Sequence, residues 1–183
     1  EEECKKRKDD LRERDLYTAP EGTHLGECPL CFLPLPIDLK ASILMSCCSK
    51  SICDGCDYAN QKREFEAGLE PRCAFCREPA PIRSGEKSDK LVMKRIKKND
   101  PVAMRTMGNK RGKEGDYKVA IKYFTKAAEL GDAGAHYQLS SMYHHGDGVK
   151  KDKEKEILHL EEAAIRGHPK ARYNLGIEEW NIG

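Results

Sequence analysis

The sequence predicts two fold classes in one chain: a small α+β finger stabilised by metal, then an all-α solenoid of helix pairs. Three observations carry that expectation. Eight of the nine cysteines fall between Cys28 and Cys76, as three Cys-x-x-Cys pairs and one adjacent pair. Downstream, Ala127-Ala128-x-x-Gly131 recurs 36 positions later as Ala163-Ala164-x-x-Gly167. Hydrophobic residues make up 38% and charged residues 35% of the chain, too polar for one large core, so each part needs metal or stacking to stay folded.

The arm, residues 1–27, is almost all charge up to Asp15. Glu1–Lys5, Glu2–Lys6 and Glu3–Arg7 stand four apart with the acid first, the favourable order on a helix. Apolar residues are too sparse for a buried face, so a solvated helix or frayed tail is expected, with the end of an upstream coiled coil as the alternative. Cys4 reads as a free surface thiol. The opening EEECKKRKDD has no apolar core of a secretory signal, and no apolar run reaches membrane-spanning length. The cysteines are therefore expected in a reducing, intracellular compartment, cytoplasmic or nuclear, where they hold metal and form no disulfides. No membrane partner is expected. A net charge of +2 and the lack of a basic stripe with aromatics argue against nucleic acid. With no initiator Met, a piece of a longer protein is expected.

In residues 28–84, eight thiols are the number that fills two tetrahedral four-sulfur zinc sites. Spacing alone allows consecutive quartets (Cys28, Cys31, Cys47 and Cys48, then the last four) or interleaved ones. A four-sulfur site leaves no open coordination position, so the metal is expected to be structural, not hydrolytic. Asp57–Leu69 reads as a helix, stopped by Glu70-Pro71.

This order of ligands resembles the RING finger in its all-cysteine form. Lys50 stands where that family usually has a histidine ligand; an ammonium cannot ligate, so Cys47 is the substitute. Ala74 stands where a proline is common. The resemblance implies interleaving: Cys28, Cys31, Cys53 and Cys56 on one zinc ion, Cys47, Cys48, Cys73 and Cys76 on a second. It further implies a surface for a ubiquitin-conjugating enzyme, with Leu30 and Ile52 as contacts. Arg77, just after the last ligand, would hold donor ubiquitin in a reactive pose while the partner supplies the nucleophilic chemistry. Leu30 packing on Ile52 and Arg77 as an ordinary surface cation are the structural alternatives.

Residues 85–99 form a linker. Ser88 is expected to cap a helix over DKLVMKRIKKN, with Leu91, Val92 and Ile96 facing the next domain. Residues 100–183 then form about two and a half repeats. Asp100-Pro101 and His168-Pro169 place proline at a first helical position. Asp116 and Asp152 are expected to cap second helices. Val119, Ala120, Tyr123, Phe124, Ala127 and Ala128 recur at helical spacing. Gly131 and Gly167 suit left-handed helix ends. Gly108, Ser140 and Gly176 are small where helices meet. His136, His144 and His145 read as polar helix residues, not a metal site.

The signature from Ala135 to Gly146 (Ala-x-Tyr-x-Leu-Ser-x-x-Tyr-x-x-Gly), followed by Gly-Val, Asp and Ala-Ala-x-x-Gly, resembles the Sel-one-like repeat, a relative of the tetratricopeptide repeat. Arg111 and Glu179 replace Tyr143 in the other two units. The resemblance implies a stack of helix pairs with a concave, protein-binding face. The third unit reaches Gly183 after one helix, so further repeats are expected, with the half-unit serving as a cap as the alternative.

The two resemblances together lead to an expected ubiquitin-protein ligase with two zinc ions and no covalent ubiquitin intermediate on this chain. Its RING-like finger would engage the conjugating enzyme while the repeats dock a protein substrate or adaptor. The competing reading is a non-enzymatic zinc-finger and repeat scaffold.

Overall fold

In the computed structural model, residues 12–16, 18, 25–36, 41–79 and 85–182 are described. The expectations for Glu1–Arg7, Cys4 included, lie outside them.

Two short strands and one helix make the finger. Strand β1 (Ser42–Leu44) pairs antiparallel with β2 (Ser51–Cys53), Ile43 opposite Ile52. Helix α1 (Asp54–Glu66) leaves directly from β2. It starts three residues earlier than expected, because Cys53 itself is the N-cap and Asp54 and Asp57 place carboxylates at the positive helix end. Cys56 therefore sits in the first helical turn. The core here is minimal: Cys28, Leu35 and Ile52 are buried, with Leu25, Ile43 and Met45 packed against them. Ile52 is 0% exposed. That corrects the expectation that it contacts a partner enzyme: its side chain fills the finger's own interior.

Helix α2 (Glu86–Ile96) also begins early. Gly85, at φ 121°, is its N-cap and offers no side-chain bond, so Ser88 lies inside the helix and does not cap it. Val92 is buried against Ala103 and Met107, with Ile96 and Tyr123 beside them, which seats the linker helix on the repeats. Asn99 turns the chain at φ 56°, and Asp100 follows. The Asp100 carboxylate accepts from Ala103 N (3.1 Å) and from Arg95 Nε (2.9 Å), joining α2 to the next helix.

Five helices follow in antiparallel succession: α3 (Pro101–Lys113), α4 (Tyr117–Glu129), α5 (Ala133–His145), α6 (Lys153–Ile165) and α7 (Pro169–Ile182). Each packs on the next. Asp116, Asp132 and Asp152 cap α4, α5 and α6 by accepting from Val119 N, Ala135 N and Lys155 N. Asp132 was not anticipated from sequence, nor was the histidine that takes this role at α7: His168 Nδ1 accepts from Ala171 N at 3.3 Å. Gly131 and Gly167 end α4 and α6 at φ 84° and 81°. The core is a ladder of small and large residues. Met104, Ala120, Phe124, Ala127, Ala128, Ala135, Leu139 and Met142 form one cluster, and Leu160, Ala163, Ala164 and Ala171 the next.

A close approach joins α3 and α4. A Cβ built on Gly108 would stand 2.6 Å from Phe124 Cε1, and Phe124 is 3% exposed with nowhere to move. Gly176, the equivalent position on α7, meets nothing within 4 Å. Tyr173, Ile177 and Trp180 on α7 are exposed.

Two histidines meet between α5 and α6, His136 buried and His159 half-buried. His136 Nδ1 and His159 Nδ1 are 3.1 Å apart, so one ring donates and the other accepts. Tyr143 stacks on His159 and Tyr137 on His168. His136 is 8% exposed. Burial, with the nearby Arg166 and His159, pushes its pKa down from 6.5 to about 4.

The arm departs most from expectation. Residues 12–16 are helical and docked, not a solvated tail. Leu16 packs against the cluster of Leu160, Ala163, Ala164 and Ala171. The Arg12 guanidinium meets Glu161 Oε2 and Glu162 Oε1, both at 2.7 Å.

Two predictions follow from this packing. Gly108→Val destabilises the repeats by ~1–3 kcal/mol through overpacking, whereas Gly176→Ala does not; thermal unfolding followed by far-ultraviolet circular dichroism separates them. Because the fold holds His136 neutral, its contribution is complete above pH 6.5 and is lost as pH falls toward about 4. The unfolding midpoint of the wild type should therefore drop between pH 7 and pH 5 by more than that of His136→Gln, on the order of 2 kcal/mol in stability.

Candidate functional site

Three ligand-bearing turns have the same construction. In the first, Cys28 C=O accepts from Phe32 N and Cys28 N donates to Leu33 O, both at 2.8 Å, and Glu27 bridges Pro34. In the last, Cys73 C=O accepts from Arg77 N (3.0 Å), Cys73 N donates to Glu78 O (2.8 Å), and Arg72 bridges Pro79. The third turn lies between β1 and β2. There Ser49 N donates to Met45 O (2.8 Å) and Met45 N to Lys50 O (2.9 Å). Each turn places a non-glycine residue in left-handed backbone: Phe32 at φ 60°, Ser49 at 55° and Arg77 at 63°. That conformation costs about 1–2 kcal/mol per residue and persists only where surrounding contacts impose it. The shared pattern Cys-x-x-Cys-x-x-Pro, at Cys28 to Pro34 and Cys73 to Pro79, is visible in the sequence but was missed.

These turns gather eight sulfurs into two interleaved groups. Cys28, Cys31, Cys53 and Cys56 form one, and Cys47, Cys48, Cys73 and Cys76 the other, all ligand atoms of a group lying within 4.8 Å of one another. Cys31 Sγ is 3.7 Å from Cys53 Sγ, Cys48 Sγ 3.9 Å from Cys73 Sγ, and Cys47 Sγ 3.4 Å from Cys76 Sγ. Those separations are far beyond a disulfide bond of about 2 Å. They match the ~3.8 Å edge of a sulfur tetrahedron around an ion bound at ~2.3 Å. The adjacent pair Cys47–Cys48 reaches one point because the left-handed Ser49 closes the turn tightly. The Lys50 ammonium lies over the Phe75 ring, its Nζ 5.4 Å from the centroid.

The electrostatics of each group call for a cation. Burial alone would raise the Cys28 pKa, but hydrogen bonds from the backbone of Cys53, Cys31 and Leu30 outweigh it and bring the thiol to about 6. In the same group burial and neighbouring thiols push Cys56 up to about 12. In the second group Cys73 is lowered against the opposing effect of burial by the backbone at Cys76 and Phe75, whose N lies 3.4 Å from its sulfur. Cys47 is raised by burial and by Cys76, and Cys48 is pushed up to about 11 by burial. Each group thus sets a lowered thiol, Cys28 or Cys73, beside raised ones, Cys56 in the first and Cys47 and Cys48 in the second, and a bound cation would supply the positive charge that balances several thiolates at one point.

Side chains of α1 lock the last turn. Glu64, 3% exposed, accepts from Arg72 N at 2.9 Å, and Asn60 Nδ2 donates to Arg72 O at 3.1 Å. Neither was anticipated, although Asn60 and Glu64 stand four apart on one helix face. Leu30 is 39% exposed on the first turn, and the Arg77 side chain is 59% exposed, its Nη1 4.0 Å from Glu64 Oε1.

The repeats carry a second candidate surface. Helices α5, α6 and α7 enclose a cleft of about 230 Å³, lined among others by Tyr137, Ser141, His144, Glu156, Asn174 and Ile177. Glu156, 5% exposed, sits 3.0 Å from His144 Nδ1 and 3.2 Å from Lys153 Nζ; Lys153 also reaches Glu178 at 2.6 Å. His136 points elsewhere, to His159, so the three histidines flagged in the sequence do not converge. Among the described residues, no helix is long and apolar enough to cross a membrane.

Comparison with known proteins places the repeats. Residues 101–132 and 133–168 each match the Sel1 repeat. A stretch of 57 residues is 38% identical to DAP3-binding cell death enhancer 1 of Rattus norvegicus, covering 31% of this chain and 11% of that protein. The chain thus spans about a tenth of the length of this curated relative. A Sel1 repeat protein from Oxalobacter formigenes, known from its crystal structure, is 28% identical, covers 63% of this chain and 44% of its own, and gives a TM-score of 0.45.

Elemental analysis of purified protein should find two metal ions per chain. Cys47→Ser should reduce that to one, and Lys50→Ala should leave it at two; the reverse outcome would put Lys50 beside the second ion.

Proposed function

We propose that this chain is a protein-interaction scaffold, in which a zinc-ordered finger is joined through α2 to a Sel1 solenoid that captures protein partners. The observation that carries the reading is the pair of stacked Sel1 repeats over residues 101–168. Helix pairs of this kind present side chains from successive helices along one surface, which suits them to gripping extended or helical segments of other proteins. The α5–α7 cleft, with exposed Ile177 beside the buried Glu156, is the part of that surface with both apolar and ionic character. The rat relative's name states that it binds DAP3; by analogy the ligand of these repeats is a protein.

Zinc is the metal assigned to the finger. Four sulfurs at tetrahedral spacing suit a closed-shell ion without redox chemistry, and leave it no position for water. Its part is structural: it ties distant turns together in a segment with few buried side chains. Protein of this kind belongs in a reducing compartment, where the thiols stay free to ligate.

A second reading, a RING-type ubiquitin ligase, is favoured by one observation. Leu30 and Arg77 are both exposed on a finger whose two sulfur groups interleave. In that reading Leu30 meets the conjugating enzyme and Arg77 steadies donor ubiquitin. Ile52, being buried, takes no part.

A discharge assay decides between them. With a panel of ubiquitin-charged conjugating enzymes, the scaffold reading expects no enzyme to lose ubiquitin faster when the protein is added. Acceleration that Arg77→Ala reduces at least tenfold would replace the scaffold with the ligase.

A further inference from the structure

The groove between α6 and α7 already holds a ligand: the chain's own arm. Its floor is Leu160, Ala163, Ala164 and Ala171, all at most 2% exposed, and Leu16 packs on them. Arg12 grips two consecutive carboxylates. Its Nε and Nη2 reach Glu161 Oε2 at 3.0 and 2.7 Å, and its Nη1 reaches Glu162 Oε1 at 2.7 Å. At the far end, Arg172 Nη2 donates to the Thr18 carbonyl at 2.6 Å while Arg172 Nε donates to Ala164 O at 3.2 Å. Arg172 thus bridges the end of the arm helix to α6. The contacts ask little of the occupant: a guanidinium, an apolar side chain four residues later on the same helix face, and a free carbonyl at the end of the turn.

The same contacts explain why the arm can leave. Leu16 is the one apolar anchor in residues 12–16, and Glu13, Arg14 and Asp15 are exposed, so the released segment stays well solvated. An occupant with one anchor and partly exposed ion pairs holds chiefly because its tether keeps it near. Without an occupant, the cluster of Leu160, Ala163, Ala164 and Ala171 loses its contact with Leu16, Glu161 loses Arg12, and Glu162 keeps only its pair with Arg166.

We propose that the α6–α7 groove is a docking site for a short helix of a partner protein that carries Arg and Leu four residues apart, and that the arm, through Arg12, Leu16 and Thr18, occupies it in cis until such a helix displaces it. The proposal rests on the interaction reading of the repeats and adds the location, the partner chemistry and an intramolecular competitor.

The probe is a labelled peptide of residues 8–20 of this chain, added to the 183-residue chain and followed by fluorescence anisotropy. Arg12→Ala with Leu16→Ala in the protein empties the groove, and the peptide then binds at least tenfold tighter than to the wild type. Glu161→Arg with Glu162→Arg abolishes that binding, and a peptide with Arg12→Glu restores it, which shows that the swapped protein is folded. Phe65→Asp on α1, where the side chain is 86% exposed, leaves peptide binding unchanged. Equal affinity for wild type and arm variant, no binding to the arm variant, or loss of binding with Phe65→Asp overturns the proposal. None of these outcomes bears on ubiquitin discharge, so a failure here is distinguishable from a failure of the scaffold reading.

Discussion

Convergence of sulfurs from remote parts of the chain is the constraint on which the finger depends. Cys28 and Cys76 lie at opposite ends of the segment, yet each shares a group with a residue from the β1–β2 hairpin or the start of α1. Leu35 and Ile52, the buried apolar side chains besides cysteine, contribute ~3–6 kcal/mol by burial. Ordering the backbone of only ten residues already costs ~10 kcal/mol or more. Interleaving answers that deficit, because neither group can form without pulling both halves of the segment together. The left-handed residues Phe32, Ser49 and Arg77 are the local cost of aiming the sulfurs, and they follow their ligands directly in sequence.

The repeats solve the same problem by another route. Their helices approach closely because alanine and glycine line the contacts: Ala120, Ala127, Ala128, Ala135, Ala163, Ala164 and Ala171 are buried, and Gly108 leaves room for Phe124. Small residues bring little area each, so the larger side chains Met104, Phe124, Leu139 and Leu160 must fill what remains. Each helix is then stable only with a neighbour on both sides. On α7 that condition is half met, which is why Gly176 touches nothing and Trp180 is 86% exposed.

Much of this was legible in the sequence, and for physical reasons. Metal ligation needs thiols at short spacing, and helix ends need aspartate or proline at fixed places, so Cys28 to Cys76, Asp100, Asp116 and Asp152 declared themselves. The interleaving was not written in spacing at all; it entered through resemblance. Helix starts were misplaced wherever an element begins without a polar cap: α1 starts from Cys53 and α2 from Gly85. Ile52 entered as a surface contact through the resemblance, and its burial beside Cys28 and Leu35 is a tertiary fact that spacing does not carry. His168 escaped notice as a cap because histidine rarely accepts from a helix amide, and Tyr137 stacking on it is a tertiary fact. The arm was misread for a related reason. Two leucines among charges, Leu11 and Leu16, are too few for a periodic signal, and the partners of Leu16, Leu160 and Ala171 among them, lie far along the chain.

That last misreading links the two halves of the molecule. A charged helix turn has no reason to order by itself, since fewer than about a dozen residues form a marginal helix in water. Here it orders because α6 and α7 offer complementary charge and an apolar floor at matched spacing. The chain thereby returns its beginning to its last described repeat and brackets the sulfur finger between two points of the same solenoid: Leu16 on the α6–α7 cluster, and Val92 on α3. A rigid finger tethered at both ends cannot be displaced without releasing one of them. Of the two, the α2 attachment is continuous with the repeat core through Val92 and the Arg95–Asp100 pair, while the arm attachment rests on one leucine and ion pairs that water can reach. Any event that competes for Glu161 and Glu162 therefore releases the arm alone, and leaves the finger held by α2 and by the hydrogen bond between Ser49 and Asp100.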